Sequence, residues 1–153
     1  AVARAARYYP EGHRGVGGGR AHDYGVGTTR DESTAWINAN TLVIPMIEET
    51  DAVENLDAIL GVPGVDVLHV AAGDLGQSMG NPGPADVRRL MGQVVPKIRA
   101  GGINVGVGGN NPADAAGIAE FIKLGANFVT VSAQGLQRLG AEDFLRRVDA
   151  ELT

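Results

Sequence analysis

Two carboxylates stand just after short apolar stretches, and they are the strongest sign of chemistry in the sequence. Residues 42–47 form a β-branched, almost unbroken apolar run that ends at Glu48, and a second run, residues 65–70, leads into Asp74. Such runs predict buried parallel strands, whose carboxyl ends are where α/β folds assemble their sites. Two carboxylates that converge there repel each other unless a cation lies between them. The pattern therefore favours a divalent cation with oxygen ligands.

The residues alone leave two alternatives open. Glu49 could take the place of Glu48, although strand alternation directs only one of these two side chains inward. An isolated pair such as Glu48 and Asp74 is also explained by carboxylates that simply lie in solvent at the strand ends.

Helical patterns separate the predicted strands. Residues 51–60 carry an apolar helical stripe and end at Gly61, which completes a strand, helix, strand unit with one carboxylate after each strand. Pro84 is suited to open a helix over residues 85–100, in which Pro96 should produce a kink or split off the last turn.

The alternation continues to the end of the chain. Strands are predicted at residues 103–107 and 127–131, and a final amphipathic helix within residues 140–152. Between the two strands, Asn111 is predicted to cap a helix whose apolar stripe consists of Ala115, Ile118, Ala119 and Ile122. Four strand-helix units of this kind predict an α/β fold with a parallel sheet and right-handed crossovers.

Five stretches of the sequence have a specific order and spacing. They are residues 8–15 (YYPEGHRG), 48–56 (EETDAVENL), 62–66 (VPGVD), 73–75 (GDL) and 78–80 (SMG). Together they resemble the HpcH/HpaI aldolase and citrate lyase family, and most closely its metal-dependent class II pyruvate aldolases of the 4-hydroxy-2-oxoheptanedioate aldolase type. The resemblance covers nearly the whole chain.

The resemblance implies a TIM (β/α)8 barrel, of which these four units look like the second half. A complete barrel takes about 250 residues, and a half-barrel exposes two sheet edges and an apolar face. We therefore expect residues 1–153 to form one aldolase-type domain without the N-terminal half of the barrel. A missing N-terminal portion, a separate polypeptide or a second copy of the chain would cover the exposed surfaces. Residues 8–30 are predicted to be an irregular, glycine-rich excursion from this domain.

The resemblance also implies a reaction, the cleavage of a 4-hydroxy-2-oxo acid to pyruvate and an aldehyde. Glu48 and Asp74 match the family's two metal ligands, and the backbone of Ala72, Gly73 and Asp74 matches the segment that meets the substrate. Oxygen ligands suit Mg²⁺ or Mn²⁺ best, with Co²⁺ and Zn²⁺ as alternatives. The only two lysines, Lys97 and Lys123, fall in predicted helices rather than at strand ends, which argues against Schiff-base chemistry.

Several positions depart from the family pattern. Met46 stands where the family has a glutamine that contacts the substrate, Ala71 and Ala72 replace a Gly-Pro pair, and Gly76 replaces a serine. The family's general-base histidine, its partner aspartate and its arginine belong to the first half of the barrel, so no catalytic residue is assigned in this chain. These departures favour a second hypothesis, a non-catalytic subunit that binds metal and pyruvate or serves in assembly.

The composition of the chain argues against several classes of binding partner. The net charge of −5 argues against a nucleic-acid surface, since the only basic clusters are the pairs Arg88-Arg89 and Arg146-Arg147, which are typical of solvated helix faces. No apolar run is long enough for a membrane span. Without cysteine the chain has neither a disulfide nor a thiolate site. We expect a small-molecule 2-oxo acid as substrate, a cytoplasmic location by default, and either a homo-oligomer or a complementary barrel half as partner. His13 and His22 are expected to be structural or surface residues, and His69, near a strand end, could support the site.

Overall fold

The computed structural model describes residues 1–108 and 111–153 in full, and residues 109 and 110 only by their place in a strand. The first part of the chain contains α1 (Val2–Ala6), an irregular segment with a 3₁₀ turn at Arg20–Gly25, and α2 (Arg30–Asn40). The elements that follow are β1 (Met46–Ile47), α3 (Thr50–Glu54), α4 (Leu56–Leu60), β2 (Val67–Ala71), α5 (Ala72–Ser78), α6 (Pro84–Ala100), β3 (Asn104–Asn110), α7 (Ala115–Lys123), β4 (Phe128–Val131) and α8 (Ala133–Leu152).

The four strands form a single parallel sheet in the order β1-β2-β3-β4. Met46 pairs with His69, His69 with Gly106, and Gly106 with Phe128, so these four residues form one row across the sheet. Strand order that follows chain order, with a helical connection between neighbours, is the arrangement that the alternating sequence pattern predicts.

The hydrophobic core lies between one face of the sheet and the helices. Leu68 and Val70 of β2 and Val105 of β3 are completely buried on that face. Helix α6 covers them with a stripe at the helical period, formed by Val87, Met91, Val94, Val95 and Ile98. The opposite face of the sheet carries the row of residues from Met46 to Phe128, because side chains alternate along each strand.

The first strand and the helix after it are more interrupted than the sequence predicts. Regular pairing in β1 is confined to two residues, since Pro45 has no N–H to donate, although its carbonyl still accepts from the His69 N–H (2.9 Å). The predicted helix over residues 51–60 is divided into α3 and α4 at Asn55. The Asn55 side chain donates to the Asp51 carbonyl (2.8 Å) and so competes with the helical pattern.

Helix α7 begins later than predicted, and its buried face differs from the predicted stripe. Asp114, not Asn111, is the cap, and its Oδ1 accepts from the Gly117 N–H (3.0 Å). Gly117 and Phe121 face the core, whereas Ile122 is 50% exposed. The prediction for α6 was nearer, but the helix continues through Pro96 to Ala100 without splitting off its last turn.

A partly buried polar clasp, formed by Arg7, Thr41, Val43 and Asp66, joins α1 to the start of the sheet. Asp66 Oδ2 accepts from the Val43 N–H (2.7 Å) and lies 3.3 Å from an Arg7 guanidinium nitrogen, while Arg7 also donates to the Thr41 carbonyl. The Arg7 side chain is only 14% exposed, so these partners replace most of the water that would otherwise solvate its guanidinium. The clasp fixes the segment that leads into β1.

We therefore expect Asp66→Ala to lower the free energy of unfolding by about 1–2 kcal/mol, because it leaves the Val43 N–H without its acceptor and removes one of the partners of the Arg7 guanidinium. Asp57→Ala is the matched control, since Asp57 pairs with Lys97 (2.8 Å) but its side chain is 79% exposed. Its effect should stay within about 0.5 kcal/mol. Urea unfolding measures both, and equal losses in the two variants would contradict the role of the clasp.

Helix α8 contributes no buried residue. Phe144 is 65% and Leu145 58% exposed, and Val129 and Val131 of β4 are also partly uncovered. An apolar helix face and an apolar strand face are thus both left open at the end of the sheet. None of the helices that the structure describes is long and apolar enough to cross a membrane.

Candidate metal and substrate site

Glu48 and Asp74 line the same cavity. Its volume is about 470 Å³, and its lining consists of Glu48, Glu49, Asp74, Gln77 and Ser78. The cavity lies where β1 and β2 end, so the structure brings together the two carboxylates that the sequence singles out.

Strand β1 sets the direction of the two glutamates. Ile47 is 1% exposed and points into the core, so alternation directs Glu48 to the opposite face of the sheet. Glu49 is the N-cap residue of α3, but its side chain makes no capping hydrogen bond. Both carboxylates remain available to the cavity, and the choice between them stays open in the geometry.

Asp74 lies in the first turn of α5, a short helix that the sequence patterns did not indicate. The N–H groups of a first turn have no acceptor within the helix, and none of α5's is capped by a side chain. Ala72 and Gly73, the other predicted substrate-binding residues, belong to this turn. They line a second cavity, of about 530 Å³, on another side of α5.

Gln77 and Ser78 are site residues that the motif-based reasoning missed. They follow Asp74 by three and four residues, the spacing that places side chains on one face of a helix. That signal was present in the sequence, but it becomes readable only once residues 72–78 are known to be helical.

The charge of the cavity is uncompensated. Among the ion pairs of the described residues, none includes Glu48, Glu49 or Asp74. The cavity is lined by three carboxylates, one side-chain amide and one hydroxyl. Their oxygen atoms are hard ligands, which suit Mg²⁺ or Mn²⁺. No group of three or more acidic or histidine side chains is already arranged around one point in the described chain. The residues therefore fit a cation held by two carboxylates, with further oxygens from substrate and water.

His69 lies one row below the level of Glu48 on the same face of the sheet. It is 9% exposed, and burial lowers the pKa of its imidazole, so the ring is neutral. Its Nδ1 has no hydrogen-bond partner among the described residues, and its ring packs edge-on to Phe128 (6.3 Å between centroids). A histidine in this position supports the floor of the site through packing.

The other candidate groups are remote from the cavity. His22 bridges Tyr8 Oη (3.1 Å) and Ser33 Oγ (2.6 Å), which gives it a structural role, and His13 is exposed. Lys97 and Lys123 lie in the last turns of α6 and α7, away from the ends of the strands. The geometry supports the sequence-based argument against an imine-forming lysine.

A parallel sheet with helical crossovers and carboxylates at the ends of its strands is typical of α/β-barrel enzymes. The sequence profile of the HpcH/HpaI aldolase/citrate lyase family matches residues 1–141, and the chain belongs to this family.

Individual relatives agree with this assignment. The chain is 38% identical over 133 residues to a 2-keto-3-deoxy-L-rhamnonate aldolase of Klebsiella pneumoniae, an alignment that covers 85% of this chain and 48% of the relative. The crystal structure of a Burkholderia cenocepacia family member matches with a TM-score of 0.81 and 29% identity, over 96% of this chain and 58% of that one. A Desulfitobacterium hafniense HpcH/HpaI aldolase matches with a TM-score of 0.71 and 27% identity, over 94% and 56%.

The chain spans about half the length of the curated relatives it matches. Its four strand-helix units have the fold of about half of the barrels to which they are similar.

Proposed function

We propose that this chain carries the metal and 2-oxo-acid site of a divalent-metal-dependent aldolase, a carbon-carbon lyase that cleaves a 4-hydroxy-2-oxo acid to pyruvate and an aldehyde. The observation that carries the proposal is the convergence of Glu48 and Asp74 on one cavity at the ends of β1 and β2. Membership of an aldolase and lyase family supports the reaction class.

In this proposal Glu48 and Asp74 hold the cation, which is Mg²⁺ or Mn²⁺, with Co²⁺ and Zn²⁺ as alternatives. A cation bound there would act as a Lewis acid toward the oxygens of the pyruvyl unit and would offset the negative charge that develops as the carbon-carbon bond breaks. The first-turn N–H groups around Gly73 and Asp74 receive the substrate carboxylate, and Ala72 borders it. In this proposal the hydroxyl proton of the substrate goes to a base in the other half of the barrel, which is where the family resemblance puts the general-base histidine.

We propose a 2-oxo acid as the class of substrate. The named relatives act on 2-keto-3-deoxy-L-rhamnonate, which is itself a sugar-derived 2-oxo acid, and this supports pyruvate as one product. In this proposal, groups other than Glu48 and Asp74 select the aldehyde product.

For the partner, we propose either a second copy of this chain or a complementary barrel half. The open faces of α8 and β4 support this, because Phe144 and Leu145 are more than half exposed and would lose water on contact with another surface.

The second candidate function is a non-catalytic subunit that binds metal and pyruvate. Met46 favours it, since this residue lies beside Glu48's strand end, is 56% exposed, and cannot donate the hydrogen bond that an amide would provide.

A pyruvate-release assay separates the two functions. The chain combined with its complementary barrel half, supplied with Mn²⁺ and a 4-hydroxy-2-oxo acid, is expected to release pyruvate, as measured by NADH oxidation through lactate dehydrogenase. Turnover should disappear with EDTA and return with excess Mn²⁺. Binding of Mn²⁺ and pyruvate without turnover would instead establish the non-catalytic function, and turnover that persists in EDTA would contradict the metal site.

A further inference from the structure

The turn that carries Glu48 and the helix that carries Asp74 are joined by one side chain. Ser78 Oγ accepts a hydrogen bond from the Thr50 N–H (2.9 Å), and it lies 3.3 Å from Thr50 Oγ1. Thr50 is the first residue of α3, and Ser78 is the last residue of α5. The contact therefore bridges two elements that are 28 residues apart in sequence.

The bridge replaces a missing helix cap. The first N–H groups of a helix need acceptors from outside it, and a side chain at the N-cap position usually provides one. Glu49 occupies that position in α3, but its side chain makes no such bond. Ser78 supplies an acceptor from α5 for the first of these N–H groups, that of Thr50, and the Glu49 carboxylate lines the cavity.

This arrangement has an electrostatic consequence. Glu48, Glu49 and Asp74 line one cavity without an ion pair among the described residues, so their mutual repulsion pushes the two elements apart when no cation is present. The Ser78–Thr50 bond acts directly between those elements. It limits how far the acidic groups can move apart before a cation binds, which reduces the rearrangement needed on binding.

We propose that Ser78 is a positioning residue, which sets the spacing of the carboxylates by capping α3 through the Thr50 N–H. The inference rests on the proposed function of the same cavity. It assigns no direct ligand role to Ser78.

The acceptor and the donor of this hydrogen bond can be removed by separate substitutions. Ser78→Ala removes the acceptor and keeps a good helix former at the position. Thr50→Pro removes the donor N–H, and proline is tolerated at the first position of a helix. The preceding Glu49 already has φ −128° and ψ 150°, the extended conformation that a residue before proline prefers.

The test is Mn²⁺ titration of the chain by calorimetry. Ser78→Ala and Thr50→Pro are each expected to weaken the affinity about threefold, the effect of one partly exposed hydrogen bond. The double variant should be no weaker than either single variant, because both remove the same interaction. Ser78→Thr should restore the affinity, and Thr50→Val, which keeps the N–H, should match the unmodified chain.

The outcomes separate this inference from the proposed function. Unchanged affinity in Ser78→Ala, or losses that multiply in the double variant, would overturn the positioning role while the metal site stands. A chain that does not bind Mn²⁺ at all would overturn the metal site and the role of Ser78 together. A lower free energy of unfolding with no change in affinity would make the bond merely structural.

Discussion

Asp74→Ala is expected to abolish Mn²⁺ binding while the fold is retained. Loss of a group that only orients a metal ligand already weakens metal affinity by about 10- to 100-fold, so loss of a ligand itself should exceed that range. Asp74 is exposed and makes no ion pair or side-chain hydrogen bond among the described residues, so stability does not depend on it. Calorimetric titration measures the affinity, and circular dichroism confirms the fold.

Glu48→Ala should have the same effect, and Glu49→Ala provides the comparison that decides between the adjacent glutamates. Alternation from the buried Ile47 assigns Glu48 to the cavity face, so we expect Glu49→Ala to retain most of the affinity. Asp57→Ala controls for the loss of one negative charge, because Asp57 lies on α4 and pairs with Lys97. Unchanged affinity in both Asp74→Ala and Glu48→Ala would refute the ligand assignment.

The sequence was sufficient for the architecture because apolar periodicity reports burial directly. Alternating strands and helices predicted the parallel sheet, and the runs ending at Glu48 and leading to Asp74 predicted that the two carboxylates would share one edge of it. The structure confirms the sheet and the shared cavity. That these carboxylates bind a cation remains a prediction.

The ends and breaks of helices were harder to predict, because they are decided by competition between side-chain and backbone hydrogen bonds that are close in sequence. Asn55 divides one expected helix through a hydrogen bond to the Asp51 carbonyl, and Asp114 rather than Asn111 caps α7. The buried face of α7 also differs from the predicted stripe, because Gly117 and Phe121 are its buried residues. Helix α5 has too few residues to show a period, so the sequence did not predict that Gln77 and Ser78 line the site, although Ser78 belongs to one of the motif stretches.

The glycines of β3, on the face of the sheet that carries His69, are another feature that hydropathy does not predict. Gly106 lies under the His69 ring, where an added Cβ would stand 2.5 Å from Nδ1 and 3.1 Å from Phe128 Cδ1. Gly108, two residues further along β3, pairs with Thr130 of β4. Small residues on β3 thus leave space in which larger side chains of the neighbouring strands pack, as in the filled interior of a barrel.

This packing predicts that Gly108→Ala lowers the free energy of unfolding by about 2–3 kcal/mol, the usual effect of overpacking. An added Cβ would overlap Thr130 Oγ1 and the Thr130 backbone oxygen, and would stand 2.9 Å from the Thr130 Cβ. Rotation of the threonine side chain relieves only the first of these contacts. The strands must therefore separate where they approach the candidate site.

Gly92→Ala is the matched control for this substitution. Gly92 lies inside α6, and an added Cβ there meets nothing within 4 Å. Alanine should therefore stabilise the chain by about 0.5–1 kcal/mol through the lower backbone entropy of its unfolded state. Urea unfolding of both variants is expected to give changes of opposite sign. If Gly108→Ala were as stable as the unmodified chain, β3 and β4 would not approach each other as closely at Gly108 and Thr130 as the structure shows.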